Sequence, residues 1–156
     1  TSPATPNKLI IQEVTMHTFL TIDENNLLDT FSLFTQLRTD LSQQEYKDLF
    51  KVMKSEGYQM IGLVDKGDIK VLAGYAIRTN FYNKRHLYLY DLVAATEDRS
   101  KGYGNKMMQY LEQIASVNDC KFVALESGLM RVDAHRFYED KNNYERFCYS
   151  FRKSIL

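Results

Sequence analysis

The run Arg99-Ser100-Lys101-Gly102-Tyr103-Gly104 sets two cations and two glycines within six residues. Before it stands Leu87-Tyr88-Leu89-Tyr90-Asp91-Leu92-Val93-Ala94, a strand by its leucine, aromatic and β-branched content. After it, Asn105 to Val117 reads as an amphipathic helix with Met107, Leu111 and Ile114 on one face. A strand, a basic glycine loop and a helix start together form an anion site. The first N–H groups of a helix have no intrahelical partner, and the helix dipole adds partial positive charge there. Glycine lets the backbone approach a ligand closely. Pyrophosphate is the natural guest. A Walker loop requires Gly-Lys-Ser/Thr entering the helix, and Gly104-Asn105-Lys106-Met107 lacks it. A dinucleotide fingerprint requires a small residue where Met107 stands.

What remains is Arg-x-x-Gly-x-Gly between a strand and a helix. It resembles the acyl-CoA loop of the GNAT superfamily of N-acyltransferases. Downstream, Lys121-Phe122-Val123-Ala124-Leu125-Glu126 reads as a short strand. Ser127-Gly128, Arg131 and Ala134-His135-Arg136-Phe137-Tyr138 follow it. The pattern Ser-Gly-x-x-Arg-x-x-Ala-His-Arg-Phe-Tyr is similar to one branch of that superfamily. The resemblance covers roughly residues 8 to 152 and is most specific in the C-terminal half. It implies transfer of an acetyl group from acetyl-CoA, a cosubstrate, to a primary amine by direct attack and without a metal. It also implies an α/β layered fold, a mixed twisted central sheet flanked by helices.

Such a reaction has three needs. The amine must lose a proton, since a free alkyl ammonium titrates near 10.4. The thioester carbonyl needs hydrogen-bond donors. The departing thiolate is better protonated as it leaves. The resemblance assigns pyrophosphate binding to the loop, Arg99, Ser100, Lys101, Gly102, Tyr103, Gly104 and Asn105. Much of that contact is backbone, so the Tyr103 side chain is also open to a core position. It assigns pantetheine contacts to the main chain of Leu92, Val93 and Ala94. The resemblance also implies that Phe137 packs beneath the pantetheine arm and makes Tyr138 the leading candidate for general acid to the thiolate. The alternative for Tyr138 is a core aromatic, because Ala134, Phe137 and Tyr138 share one helical face. His135 braces the helix in this picture. Asp91 is the candidate general base or amine anchor, since a carboxylate inside a strand is costly to bury without a partner. Its alternative is a structural acceptor, and Glu126 competes for the role of base.

The elements that must position these residues follow from pattern. Residues 1 to 7 hold both prolines and read as a flexible leader. Residues 8 to 156 read as one domain. Leu9, Ile10, Ile11 and Val14 suggest a first strand. Asp23-Glu24 opens a helix with Leu27, Phe31, Phe34 and Leu37 on its apolar face. Ser42-Gln43-Gln44-Glu45 is a capping box for a second helix, with Tyr46, Leu49, Phe50 and Met53 as its stripe and Gly57 at its exit. Tyr58 to Val64 and Ile69 to Arg78 are strands of a hairpin turning at Asp65-Lys66-Gly67-Asp68. Residues 79 to 85 form a second turn. A helix over 132–141 and a last strand near 144–152 complete the order β-α-α-β-β-β-α-β-α-β.

Composition narrows the class. Hydrophobic residues are 44% and charged residues 26%, ordinary for a globular chain with a core. Twenty basic and twenty acidic residues leave zero net charge, which disfavours a nucleic-acid partner. The basic and aromatic run from Arg78 to Tyr88 therefore reads as a polar hairpin end. No apolar run is long enough for a membrane helix and no signal peptide stands at the N-terminus, so a cytoplasmic location is expected. Cys120 and Cys148 are expected as free, buried thiols. A monomer or homodimer fits equally. The rival of a different class is a non-catalytic acyl-CoA-binding or sensor module of the same fold.

Overall fold

The computed structural model describes residues 17–99 and 101–156. They fall into two compact units, one through Ala124 and one from Leu125 to Leu156. The leader and the strand expected around Leu9 to Val14 lie outside the described residues, as does Ser100.

The strands are β1 (Thr18–Ile22), β2 (Gln59–Asp65), β3 (Asp68–Asn80), β4 (Lys84–Ala94) and β5 (Phe122–Leu125), in the sheet order β1-β2-β3-β4-β5, and all but the last residue of β5 belong to the first unit. The first four pair antiparallel. Two tight turns make this possible. Lys66 and Gly67 both have positive φ, 53° and 82°, the geometry that matches hairpin twist. Phe81–Asn83 closes the second hairpin, and Asn83 N–H donates to the Asn80 side chain at 2.6 Å. Between β4 and β5 runs α3 (Tyr103–Val117), so β5 returns parallel to β4 and the sheet is mixed. Lys121 N–H donates to the Arg85 carbonyl at 2.6 Å, which sets β5 level with the start of β4.

Each face of the sheet carries its own helices. Phe19 stacks on Tyr110 of α3 with ring centroids 3.8 Å apart. Phe19 is paired with Leu63, and Leu63 with Val71, so that row faces α3. The opposite face is covered by a short 3₁₀ turn (Leu27–Thr30), α1 (Phe31–Phe34) and α2 (Gln43–Ser55). Leu27, Phe34, Tyr46 and Phe50 pack there on Ile22, Met60, Leu72 and Val93. The capping box forms at Ser42, whose Oγ accepts from Glu45 N–H at 3.1 Å. Leu49 is exposed, so the α2 stripe narrows to Tyr46, Phe50 and Met53.

In the second unit, α4 (Val132–Arg136) runs on through a π turn (Phe137–Lys141). The last strand expected near 144–152 does not form. Asn143 has φ 59° and Tyr144 N–H donates to the Tyr138 carbonyl at 2.9 Å, which turns the chain out of the helix. Phe147, Tyr149 and Phe151 then alternate with polar residues, yet all three are exposed. Alternation supplies strand propensity, whereas a strand also needs a ladder partner. The observed order is therefore β-α-α-β-β-β-α-β-α. Cys120 and Cys148 are free, but neither is buried: Cys120 is half-buried and Cys148 exposed.

Candidate active site

Three features of the first unit converge on β4. The first is a bulge. Gly74 of β3 pairs with Asp91, but Tyr75 pairs with Leu89, so Tyr90 is an extra residue. Before the bulge, Tyr88 stands opposite Ala76, on the face of Gly74. After it, Asp91 stands on that same face although the two are an odd number of positions, three, apart. A bulge re-aims side chains in this way. Tyr88, Tyr90, Asp91 and Val93 are thereby all turned toward α1 and α2.

The second feature is a buried polar cluster built on that bulge. Asp91 is 8% exposed. Its Oδ2 accepts from the Tyr58 hydroxyl at 2.8 Å, and its Oδ1 from Arg38 Nη2 at 3.1 Å. The same Nη2 donates to the Tyr90 carbonyl at 3.4 Å. Burial, and then the Asp91 charge, hold the Tyr58 phenol well above its ordinary value. It remains a donor at any physiological pH. Gly74 makes room for Tyr58. A Cβ at position 74 would land on the Tyr58 hydroxyl and ring, with Cε1 at 2.7 Å.

The third feature is the loop after β4. β5 starts level with Arg85 and is four residues long, so it ends well before β4 reaches Asp91–Ala94. The edge of Leu92, Val93 and Ala94 away from β3 therefore lies beyond the end of β5. Val93 is buried, and Leu92 and Ala94 are half-buried. The chain then passes through Thr96–Asp98 to Gly102, the cap of α3, at φ 83°. That conformation suits glycine, and nothing lies within 4 Å of where its Cβ would be. Gly104 and Asn105 sit in the first turn of α3, half-buried.

Two buried carboxylates fasten this loop. Asp98 meets Lys101 at 3.0 Å and Lys70 at 3.2 Å. Asp65 accepts from the Tyr103 hydroxyl at 2.6 Å and faces His17 at 3.5 Å. Tyr103 thus anchors the loop through its hydroxyl, half-buried. Lys101 is committed to Asp98, while Arg99 is exposed and makes no ion pair among the described residues. The Tyr103 bond holds the Asp65 carboxyl below the usual range and pushes Tyr103 up to about 12. Lys101, chiefly, does the same to Asp98. A carboxyl depressed in the fold adds stability above its unfolded pKa, near 3.9, and loses it as pH falls through the folded pKa. The melting temperature is therefore expected to fall steeply below about pH 4. Tyr103→Phe removes the main cause at Asp65 and should flatten that fall in a pH series of thermal melts. An equal slope in the variant would detach Tyr103 from the acid response.

In the second unit Tyr138 is 9% exposed, with Phe137 half-buried and edge-on to it at 5.3 Å. Burial raises the Tyr138 phenol above its ordinary value, and Arg131 partly offsets this. His135 Nε2–H donates to the Gly128 carbonyl at 2.9 Å, a brace between the helix and the Ser-Gly turn. Glu126 is exposed just beyond β5. Among the described residues no cluster of His, Cys, Asp and Glu could hold a metal ion, and no helix is long and apolar enough to cross a membrane.

The sequence pattern of the Acetyltransferase (GNAT) family matches residues 24–144, which contain the bulge, the loop and the helix of Tyr138. The chain belongs to that family. GNAT membership makes it an N-acetyltransferase, the enzyme class expected from the loop and the Ala-x-x-Phe-Tyr motif. An uncharacterized N-acetyltransferase of Bacillus subtilis, YhdJ, is 35% identical over 128 residues, 81% of this chain and 90% of the relative. Solved GNAT structures share the fold. The aminoglycoside acetyltransferase AAC(6')-Iy, in complex with a CoA bisubstrate analog, superposes with a TM-score of 0.77 at 12% identity, covering 91% of this chain and all of that one. Glucosamine-6-phosphate N-acetyltransferase from Arabidopsis thaliana gives 0.69 at 16% identity, covering 91% and 100%.

Arg38, Tyr58 and Gly74 were not expected as site residues. Arg38 has no local signal, because its partner is 53 positions away. Gly74 carried one, since glycine inside a strand marks a bulge or a close approach.

Proposed function

We propose that this GNAT enzyme moves an acetyl group from acetyl-CoA to a primary amine by direct attack. The observation that supports it best is that β4 runs on past the end of β5, next to a positive-φ glycine and the start of a 15-residue helix. An extended amide-bearing arm suits the stretch of β4 beyond β5, and a pyrophosphate suits the helix start. The Gly102 cradle is open where a Cβ would intrude.

Acetyl-CoA supplies the activated acetyl carbonyl. The chain's own residues do the rest in this reading. The first N–H groups of α3 and the Arg99 side chain hold the diphosphate, with Lys101 released from Asp98 or left beside it. Main-chain groups of Leu92, Val93 and Ala94 align the arm. Phe137 packs against it. The amine nitrogen bonds to the acetyl carbon as the carbon–sulfur bond breaks, and the electron pair returns to sulfur. Tyr138 gives its phenolic proton to that sulfur and is reprotonated by the proton the amine releases to water. The sequence offers Asp91 as base or anchor. Both of its oxygens already accept hydrogen bonds, so it serves here as a positioning residue that fixes Arg38 and Tyr58 at the bulge.

Acetyl-CoA turnover, read as free thiol across a panel of amines and peptides, tests this reading. Acceptor-dependent thiol release is expected. Tight CoA binding without release from any amine would turn the reading into the sensor module. For the loop, Arg99→Ala should weaken CoA roughly tenfold by calorimetry, the weight of one charge-assisted hydrogen bond. The fold should be unaffected, and an unchanged affinity would place Arg99 away from the charged end.

A further inference from the structure

We propose that the acceptor amine carries an anionic group, carboxylate or phosphate, and that Arg38 and Arg78 read it. This rests on the acetyl-transfer reading of the same site. Both arginines are tied to the bulge residue Tyr90, one through its carbonyl and one through its ring. Arg38 is anchored through a single nitrogen, Nη2, to Asp91 and the Tyr90 carbonyl. Its Nε and Nη1 make no hydrogen bond with any described residue, and its side chain is 47% exposed. One nitrogen fixed and the others open leaves an oriented fork. Arg78 is exposed, and its guanidinium carbon lies 5.2 Å from the Tyr88 ring centroid and 5.9 Å from that of Tyr90. It forms no hydrogen bond or ion pair with a described residue. A guanidinium held against an aromatic face keeps its in-plane N–H groups free.

Charge in this cluster favours an anion. Asp91 is its carboxylate, and that charge is offset by Arg38 at 3.1 Å, with its second oxygen given to Tyr58. Each Asp91 oxygen thus already accepts one hydrogen bond, and at 8% exposure the carboxylate presents little surface to an ammonium. The Arg78 charge has no counter-ion among the described residues. Planar forks pair with carboxylate and phosphate through two parallel hydrogen bonds, which a neutral or polycationic amine cannot return. Tyr58, Tyr88 and Tyr90 meet edge to face at 5.3 and 5.0 Å, so the floor carrying both forks is rigid.

The test uses matched acceptors: an amino acid and its carboxamide, phosphoethanolamine and ethanolamine, and neamine as a polycation. Thiol release from acetyl-CoA and calorimetric binding are measured for each. Both anionic acceptors should show kcat/KM and affinity at least tenfold above their neutral partners, and the better of the two identifies the source of the charge. Arg78→Ala, which breaks no hydrogen bond, should raise KM about tenfold for the anionic acceptors and leave the carboxamide unchanged. Arg38→Lys keeps the charge beside Asp91 and loses the fork, with the same selective effect expected. If neutral or polycationic amines are acetylated as well or better, the inference is overturned while acetyl transfer stands. If anionic amines bind in an arginine-dependent way but none is acetylated, the inference stands and the transfer reading falls. Equal binding of both partners with no turnover overturns both.

Discussion

Tyr138→Phe is expected to lower the single-turnover rate by about 10²–10⁴-fold, the usual weight of one positioned general acid. Only a hydroxyl is removed. The ring that packs edge-on against Phe137 remains, so folding and CoA affinity should change little. Because the proton moves in the transition state, kcat should fall with KM nearly constant. Burial keeps the phenol protonated well into the alkaline range, which suits a donor waiting for a developing thiolate. Steady-state turnover alone would understate the loss if product release limits the wild type. Single-turnover mixing avoids that. Wild-type rates in the variant, with a working acceptor, would return Tyr138 to the role of a core aromatic.

The largest loss of stability is expected at Gly74. Gly74→Ala places a methyl group on the Tyr58 hydroxyl and ring. Tyr58 is 2% exposed and has nowhere to go without releasing Asp91. Overpacking and a lost charge-assisted hydrogen bond together should cost about 3 kcal/mol. Urea denaturation reads this as a lower midpoint. The mechanism has its own control. In a Tyr58→Ala background the added methyl group meets open space, so Gly74→Ala should then cost little. Strict additivity of the two substitutions would show that the clash is not the cause.

Much of the frame was legible because it depends on local chemistry. Lys66-Gly67 and Gly102 announce turns through positive φ, and Ser42 with Glu45 announces a helix start. Met107, Leu111 and Ile114 mark the buried face of α3 correctly. The last strand was misread because Phe147, Tyr149 and Phe151 satisfy a local pattern whose partner no local pattern can supply. The glycine loop at the start of α3 and the buried carboxylate of Asp91 were legible as local features, and the company of Asp91 was not. Tyr58 and Arg38 reach it from 33 and 53 positions away. The bulge was hidden for a subtler reason. Leu87, Leu89, Asp91 and Val93 form an unbroken row of alternate buried residues. Nothing in that row shows that its first half faces α3 and its second half faces α1 and α2.

That change of phase gives β4 two halves governed by opposite rules. An odd-numbered position up to Leu89 belongs to one core, and an odd-numbered position from Asp91 onward belongs to the other. A chimera that replaces the strand whole, from a protein with an unbulged strand, would carry the right pattern into the wrong layer over half its length. Losing Tyr90 itself would leave Leu89 opposite Tyr75 and Asp91 opposite Gly74, whereas losing a residue after the bulge, such as Leu92, would send Val93 to the face of α3. The strand's length in residues, and not only its composition, is therefore inherited as part of the site.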